Sequence, residues 1–173
     1  MLMTPTNASL GDLDPKQLSL LDSGGNHSGG ATPTKERFLH AAVYETRSDF
    51  RAVVHLHSTH AVAYSCLRDL DVEDALPPVT AYTVMRLGRV ALVPYIRPGD
   101  ERLGEAVGVA ARGHHAMLLA HHGTVVAASS LDAAAAAAEE FEQSAHILLL
   151  LRGQDARFLN DEEVEELRRT FGS

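Results

Sequence analysis

The chain has a single cysteine, Cys66, and so can form no internal disulfide. It also lacks an excess of positive charge: 15 Lys and Arg stand against 23 Asp and Glu, a formal net charge of −8. With no basic run either, neither nucleic acid nor an anionic membrane is an expected partner. No uncharged apolar run reaches the ~18 residues of a membrane span, no signal-peptide pattern is present, and no repeat of about 20–50 residues is visible. A cytoplasmic enzyme is the expectation. What the chain does have is 45% apolar residues over 173 positions, enough for one domain (1–173) with a real core. It also has ten histidines, seven of them in two groups: His55, His57 and His60, then His114, His115, His121 and His122. Those groups are where chemistry should be sought.

Read in order, Met1–Thr4 is an expected strand ended by the turn Pro5-Thr6-Asn7, and Gln17–Asp22 a second. The Gly- and Ser-rich stretch around Gly24, Gly25, Gly29 and Gly30 reads as a flexible loop. Thr32-Pro33-Thr34-Lys35-Glu36 reads as the start of a helix, with a threonine cap and an acid in the first turns. Ala52–His57 is an apolar strand, and a helix is expected over about 61–67. Val79–Met85 is apolar but of undecided type. Val90–Tyr95 and Met117–Ala120 are strands, and Val125–Ala127 continues the second or pairs with it as a hairpin. Helices are expected over 103–111 and 131–151, and from the capping-box-like Asn160-Asp161-Glu162-Glu163 to about Phe171. This mixture predicts an α/β sandwich.

The stretch Val53-Val54-His55-Leu56-His57 organises the functional reading. Alternation along a strand puts His55 and His57 on one face, about 7 Å apart. Imidazole is costly at the end of a buried β-branched strand unless its nitrogens find partners, and one divalent cation can satisfy two rings. On its own, His-x-His is more often a pair of surface or hydrogen-bonded rings. His122 is a third candidate, placed after a buried strand and before Gly123, where the chain can turn sharply. Glu36 is a fourth, although an acid at a helix start is ordinarily a solvated one. Three imidazoles and one carboxylate suit tetrahedral zinc, and a neighbouring divalent transition metal is the other possibility.

Four motifs in order resemble the class II aldolase and adducin family. They are Thr4-Pro5-Thr6, Glu36-Arg37-Phe38-Leu39-His40, Val53-Val54-His55-Leu56-His57-Ser58-Thr59-His60, and His121-His122-Gly123 before a long Ala/Glu helix. Glu36 precedes His55 by 19 residues, the interval found in the family's aldolase. The resemblance implies a three-layer α/β/α sandwich around a central mixed, largely antiparallel sheet. It implies that His55, His57 and His122 bind zinc. Glu36 would be the catalytic carboxylate, resting on the metal and moving off to carry a proton. Thr6, Asn7, Thr34 and Lys35 fall where the family binds substrate phosphate. Asn7 stands where the aldolase has glycine, and Thr34-Lys35 where it has a serine pair. An N-terminal helix, strand and Gly-Asn loop of the family have no counterpart before Met1, so the chain reads as N-terminally truncated relative to the family.

Pro33-Thr34-Lys35-Glu36, His55-Leu56-His57-Ser58-Thr59-His60, Leu76-Pro77-Pro78-Val79-Thr80-Ala81-Tyr82 and Pro94-Tyr95-Ile96-Arg97-Pro98-Gly99-Asp100 are similar to the 3-oxo-tetronate 4-phosphate decarboxylase branch. That implies a lyase releasing CO2 and dihydroxyacetone phosphate from a phosphorylated sugar acid through a zinc-held enediolate, in a homotetramer. Tyr82 would be a second proton donor. A sugar-phosphate aldolase or epimerase would share the enediolate. A zinc-hydroxide hydrolase would need only the histidines and an open position, and a non-catalytic adducin-like interaction module would need no converging ligands at all.

Overall fold

The computed structural model describes residues 1–171. Near the N-terminus β1 (Leu2–Met3), β2 (Ser19–Leu21) and β3 (His27–Gly29) pair antiparallel in that order as a small sheet. The stretch expected to be a loop is therefore a hairpin. The Asp22 carboxylate accepts from the N–H groups of Gly24 (2.8 Å) and Asn26 (2.9 Å), and Gly25 supplies a φ of 78°. This closes the turn and sends His27-Ser28-Gly29 back along β2 by backbone pairing, without the apolar alternation that marks a strand in sequence.

The main sheet contains β4 (Ala52–Leu56), β5 (Val90–Val93), β6 (Ala116–Leu119) and β7 (Gly123–Ala128), in the order β4-β7-β6-β5. β7 is antiparallel to both β4 and β6, and β5 is parallel to β6. Gly123–Ala128 is thus the hairpin partner of β6. The helices are α1 (Arg37–Thr46), α2 (Thr59–Ser65), α3 (Ala81–Leu87), α4 (Glu101–Ala111), α5 (Leu131–Leu151) and α6 (Asp161–Phe171).

Strand alternation divides the apolar side chains between two cores. Met117 and Leu119 of β6, with Ala91, Val93, Val125 and Ala127, pack beneath Leu39 and Val43 of α1 and Leu103 and Val107 of α4. Ala116 and Leu118, with Val90 and Val126, face Ala61 and Tyr64 of α2, Leu87 of α3 and Phe141 of α5. Helices on both faces of a mixed, largely antiparallel sheet make the expected three-layer sandwich.

Local chemistry accounts for several helix ends. Ser130 accepts from Ala133 N at the start of α5, and Thr80 accepts from Thr83 N at the start of α3. That cap, with Gly88 at φ 58° beyond Leu87, makes the undecided apolar stretch a helix. The capping box at α6 is reciprocal: Asn160 Oδ1 accepts from Glu163 N, and Glu163 Oε2 from Asn160 N, both at 2.9 Å. α1 differs from expectation, because its regular turns begin at Arg37 and Glu36 occupies the N-cap position. Pro33 pairs with Pro5 as an isolated bridge, and this tie holds the preceding residues extended.

Phe141 is fully buried between α5 and the sheet. Phe141→Ala is expected to lower unfolding free energy by about 3–5 kcal/mol in denaturant melts, through lost burial and the cavity left behind.

Candidate metal centre

β4 and β6 run in the same direction, because each is antiparallel to β7. Their C-terminal ends therefore meet at one edge of the sheet. His55 shares the face of Val53, which packs under α1 and α4, and His57 follows two residues on. α1 crosses that face with its N-terminus at the same edge, which delivers Glu36. His122 arrives from the turn between β6 and β7. Among the described residues these four are the one group of three or more potential metal ligands that converges, with ligand atoms all within 4.8 Å of one another.

The turn works differently from the sequence expectation. His121, not Gly123, is the residue in left-handed conformation, at φ 56°. It reverses the chain, and the N–H of His122 closes the turn on Leu119 O at 3.1 Å. Gly123 is required for another reason: a Cβ there would collide with the carbonyl of Leu56 across the β4–β7 pair. Glycine at this position lets the strand carrying His55 lie close enough to the turn carrying His122.

His55 Nε2 lies 3.2 Å from Glu36 Oε2 and 3.1 Å from His57 Nε2, and His122 Nε2 lies 3.2 Å from Glu36 Oε1. The longer His57 Nε2 to Glu36 Oε2 separation is 3.9 Å. Ligands at zinc–nitrogen distances of 2.0–2.1 Å in a tetrahedron stand about 3.3 Å apart, so three of these four separations match ligand spacing. Glu36 Oε1 is a buried oxygen with no hydrogen-bond partner, although an imidazole nitrogen lies beside it. Lone pairs that face a common centre and not one another are what a shared cation requires. The residues present fit a divalent metal.

Electrostatics keep the donors in ligand form. The imidazoles of His122 and His55 hold the Glu36 carboxyl far below the ordinary carboxylate range, although burial acts the other way. Burial, then the neighbouring His55 and His122, lower the pKa of His57, so it stays neutral and keeps its lone pair. His55 Nδ1 donates to Thr124 O at 2.7 Å, which fixes the tautomer and leaves Nε2 free for a metal. The pKa of His40, one turn along α1 from Glu36, is lowered to about 4, chiefly by burial and also by the nearby His55. Neither contact was apparent from sequence. Thr124 acts through its carbonyl, which any residue could supply, whereas the i, i+4 spacing of Glu36 and His40 could have identified His40.

The N–H of Thr6 donates to Thr32 O (2.9 Å) and that of Thr34 to Thr4 O (3.3 Å), so the two segments proposed for phosphate lie side by side ahead of Glu36. Asn7 takes the left-handed φ of 60°, and Lys35 is exposed in the turn before α1. Tyr82 is not brought to the cluster. It lies on α3, which packs against α5 and α6 in the opposite layer, and its ring is exposed with the Arg86 guanidinium 5.7 Å from its centroid. His114 and His115 are also elsewhere: their rings contact the carbonyls of Ala110, Glu73 and Arg86 and brace the start of β6. A cleft of about 520 Å³ between α1 and α4 shares no residue with the cluster, which stands instead at the open edge of the sheet. No helix among the described residues is long and apolar enough to cross a membrane.

Residues 1–149 match the class II aldolase and adducin N-terminal domain. The chain is 45% identical to a 3-oxo-tetronate 4-phosphate decarboxylase from Haemophilus influenzae, over 96% of its own length and 80% of the relative's. The structure of YgbL from Klebsiella pneumoniae, described as a putative aldolase/epimerase/decarboxylase, superposes with a TM-score of 0.92 at 44% identity, covering 95% of this chain and 80% of that one. An L-fuculose 1-phosphate aldolase superposes with a TM-score of 0.85 at 29% identity, covering 99% of this chain and 80% of that one.

Each of His55→Ala, His57→Ala and His122→Ala is expected to lose bound divalent metal in elemental analysis of purified protein; unchanged content in any one removes that residue from the site. Gly123→Ala is expected to lose metal as well, although it removes no ligand, because the Leu56 carbonyl must move away.

Proposed function

The chain belongs to the class II aldolase and adducin family, and from that premise we propose that it is a zinc-dependent decarboxylase of 3-oxo-tetronate 4-phosphate, yielding dihydroxyacetone phosphate and CO2. The observation that carries the reading is the convergence of Glu36 with His55, His57 and His122, joined to the 45% identity with a decarboxylase of that name. The substrate is a β-keto acid. As its carbon–carbon bond to the carboxylate breaks, CO2 leaves and the electron pair moves through the adjacent carbon to the ketone oxygen. The reaction therefore needs stabilisation of charge on that oxygen, then one proton delivered to carbon. Zn²⁺ held by His55, His57 and His122 would supply the Lewis acidity for the first need.

Glu36 meets the second. In the resting site its ionised form is favoured by His122 and His55. When substrate displaces the carboxylate from those imidazoles, the cause of its depressed pKa is removed, and Glu36 becomes able to take up a proton and pass it to carbon. Thr6, Asn7, Thr34 and Lys35 hold the phosphate, with Lys35 adding charge at the turn into α1. These groups fix the reacting end against the metal ligands. Tyr82 is given no part in this subunit, since it lies on the other layer.

We also propose a homotetramer. Leu131 and Leu150, near the two ends of α5, are 68% and 66% exposed, more apolar surface than one packed helix face leaves. A monodisperse monomer in light scattering at micromolar concentration would contradict this.

Glu36→Gln preserves shape but cannot carry a proton. It is expected to retain much of its zinc while losing CO2 release from 3-oxo-tetronate 4-phosphate by about 100-fold or more. Retained turnover would show that the proton comes from another group. Release of CO2 without cleavage of L-fuculose 1-phosphate distinguishes decarboxylase from aldolase.

A further inference from the structure

His57 is the least anchored of the four converging side chains. Its ring is 57% exposed, against 6% for His55 and 7% for His122. The described hydrogen bonds show one contact of its ring, the 3.1 Å approach to His55 Nε2, whereas His55 is also held by Thr124 O. The direction of His57 is therefore set mainly by its backbone, at the point where β4 gives way to α2.

That junction is held from outside. Ser58 stands at the N-cap of α2, yet its hydroxyl makes no capping hydrogen bond. The N–H groups that a cap would satisfy are taken by Glu142, in the middle of α5. His60 N donates to Glu142 Oε1 and Ala61 N to Glu142 Oε2, both at 2.9 Å, and His60 Nδ1 meets Oε1 at 2.7 Å. One turn further along α5, the His146 ring stacks on His60, with centroids 3.9 Å apart and planes 16° from parallel. Burial raises the Glu142 carboxyl pKa, but these donors outweigh it and hold the group below its ordinary value, in the charged form that accepts best.

We propose that Glu142 is a positioning residue for the metal centre: by clamping the first turn of α2 onto α5 it fixes the chain just after β4 and so aims His57 at the site shared with Glu36, His55 and His122. This rests on the metal-binding reading given above. Glu142 touches neither metal nor substrate. Its effect passes through three residues of backbone, in the way an outer hydrogen-bond partner orients a ligand.

The test is a double-mutant cycle read by Zn²⁺ affinity, measured in competition with a chromophoric chelator, with thermal melts as a check on folding. Glu142→Ala is expected to weaken Zn²⁺ binding by about 10–100-fold, the range for loss of an outer-shell partner. Glu142→Gln, which keeps one acceptor oxygen and the same shape, should weaken it less, and it carries the same cycle if the alanine variant folds poorly. In a His57→Ala background, where the weaker binding left after loss of the metal on purification is read by titration against a weaker chelator, either Glu142 change should alter affinity less than about two-fold, because the ligand through which it acts is gone. Unchanged affinity in both folded Glu142 variants would overturn the proposal, as would an equal loss with and without His57, which marks a general effect on the fold. Wild-type protein that binds no Zn²⁺ would instead overturn the metal reading on which this one stands.

Discussion

The convergence of Glu36, His55, His57 and His122 depends on one geometric constraint: β4 must lie against β7 in a register that sets Leu56 opposite Thr124, while β7 returns from β6 within a few residues. That register puts the strand bearing His55 beside the turn bearing His122, and it also presents the Thr124 carbonyl to His55 Nδ1. A slip of one residue would turn His55 to the α5 face and bury a polar ring among Val54, Leu56 and Phe141. Two packed apolar faces oppose the slip, so the stability of the sandwich and the geometry of the site are set by the same side chains.

Convergence of this kind has a cost that explains the electrostatics. His55, His122 and the Glu36 carboxylate are largely removed from water and crowded against one another and against His57, and so lose hydration. Part of this is offset because Glu36 stays ionised beside His55 and His122, and because His57 stays neutral. The remainder, including an unpartnered buried oxygen on Glu36, is left for a cation to satisfy.

How much of this was legible in the sequence follows from which atoms carry the information. Helices α4 to α6 and strands β4 to β7 were readable because apolar period and caps lie in side chains. The return strand β3 is not, because it is built from backbone bonds and an Asp22-centred turn with no burial pattern. The four converging residues could be named because histidine and glutamate identify themselves, and the family resemblance brought them together. The turn is not legible either: Gly123 reads as the flexible residue, while His121 takes the left-handed φ. Glycine's other use, to admit a neighbouring carbonyl, has no local signature. Tyr82 was drawn toward the site by motif similarity alone, and the fold carries α3 to the other layer. The link between Glu142 and His60 joins residues far apart in sequence, which no local pattern announces.

The small sheet of β1 to β3 and the main sheet are separate hydrogen-bonded frames, and the Thr4–Asn7 and Thr32–Lys35 segments run together between them. In the proposed reading, the groups that hold a phosphate sit on this seam, while the groups that hold the reacting carbonyl sit at the edge of the main sheet. Glu36 follows Lys35 directly, so the short path from Thr34 to Glu36 acts as a ruler. In that reading its length would limit how many atoms can separate phosphate from ketone in a molecule that engages both ends. Chain-length selectivity would then be a property of backbone span, sensitive to a single insertion before α1.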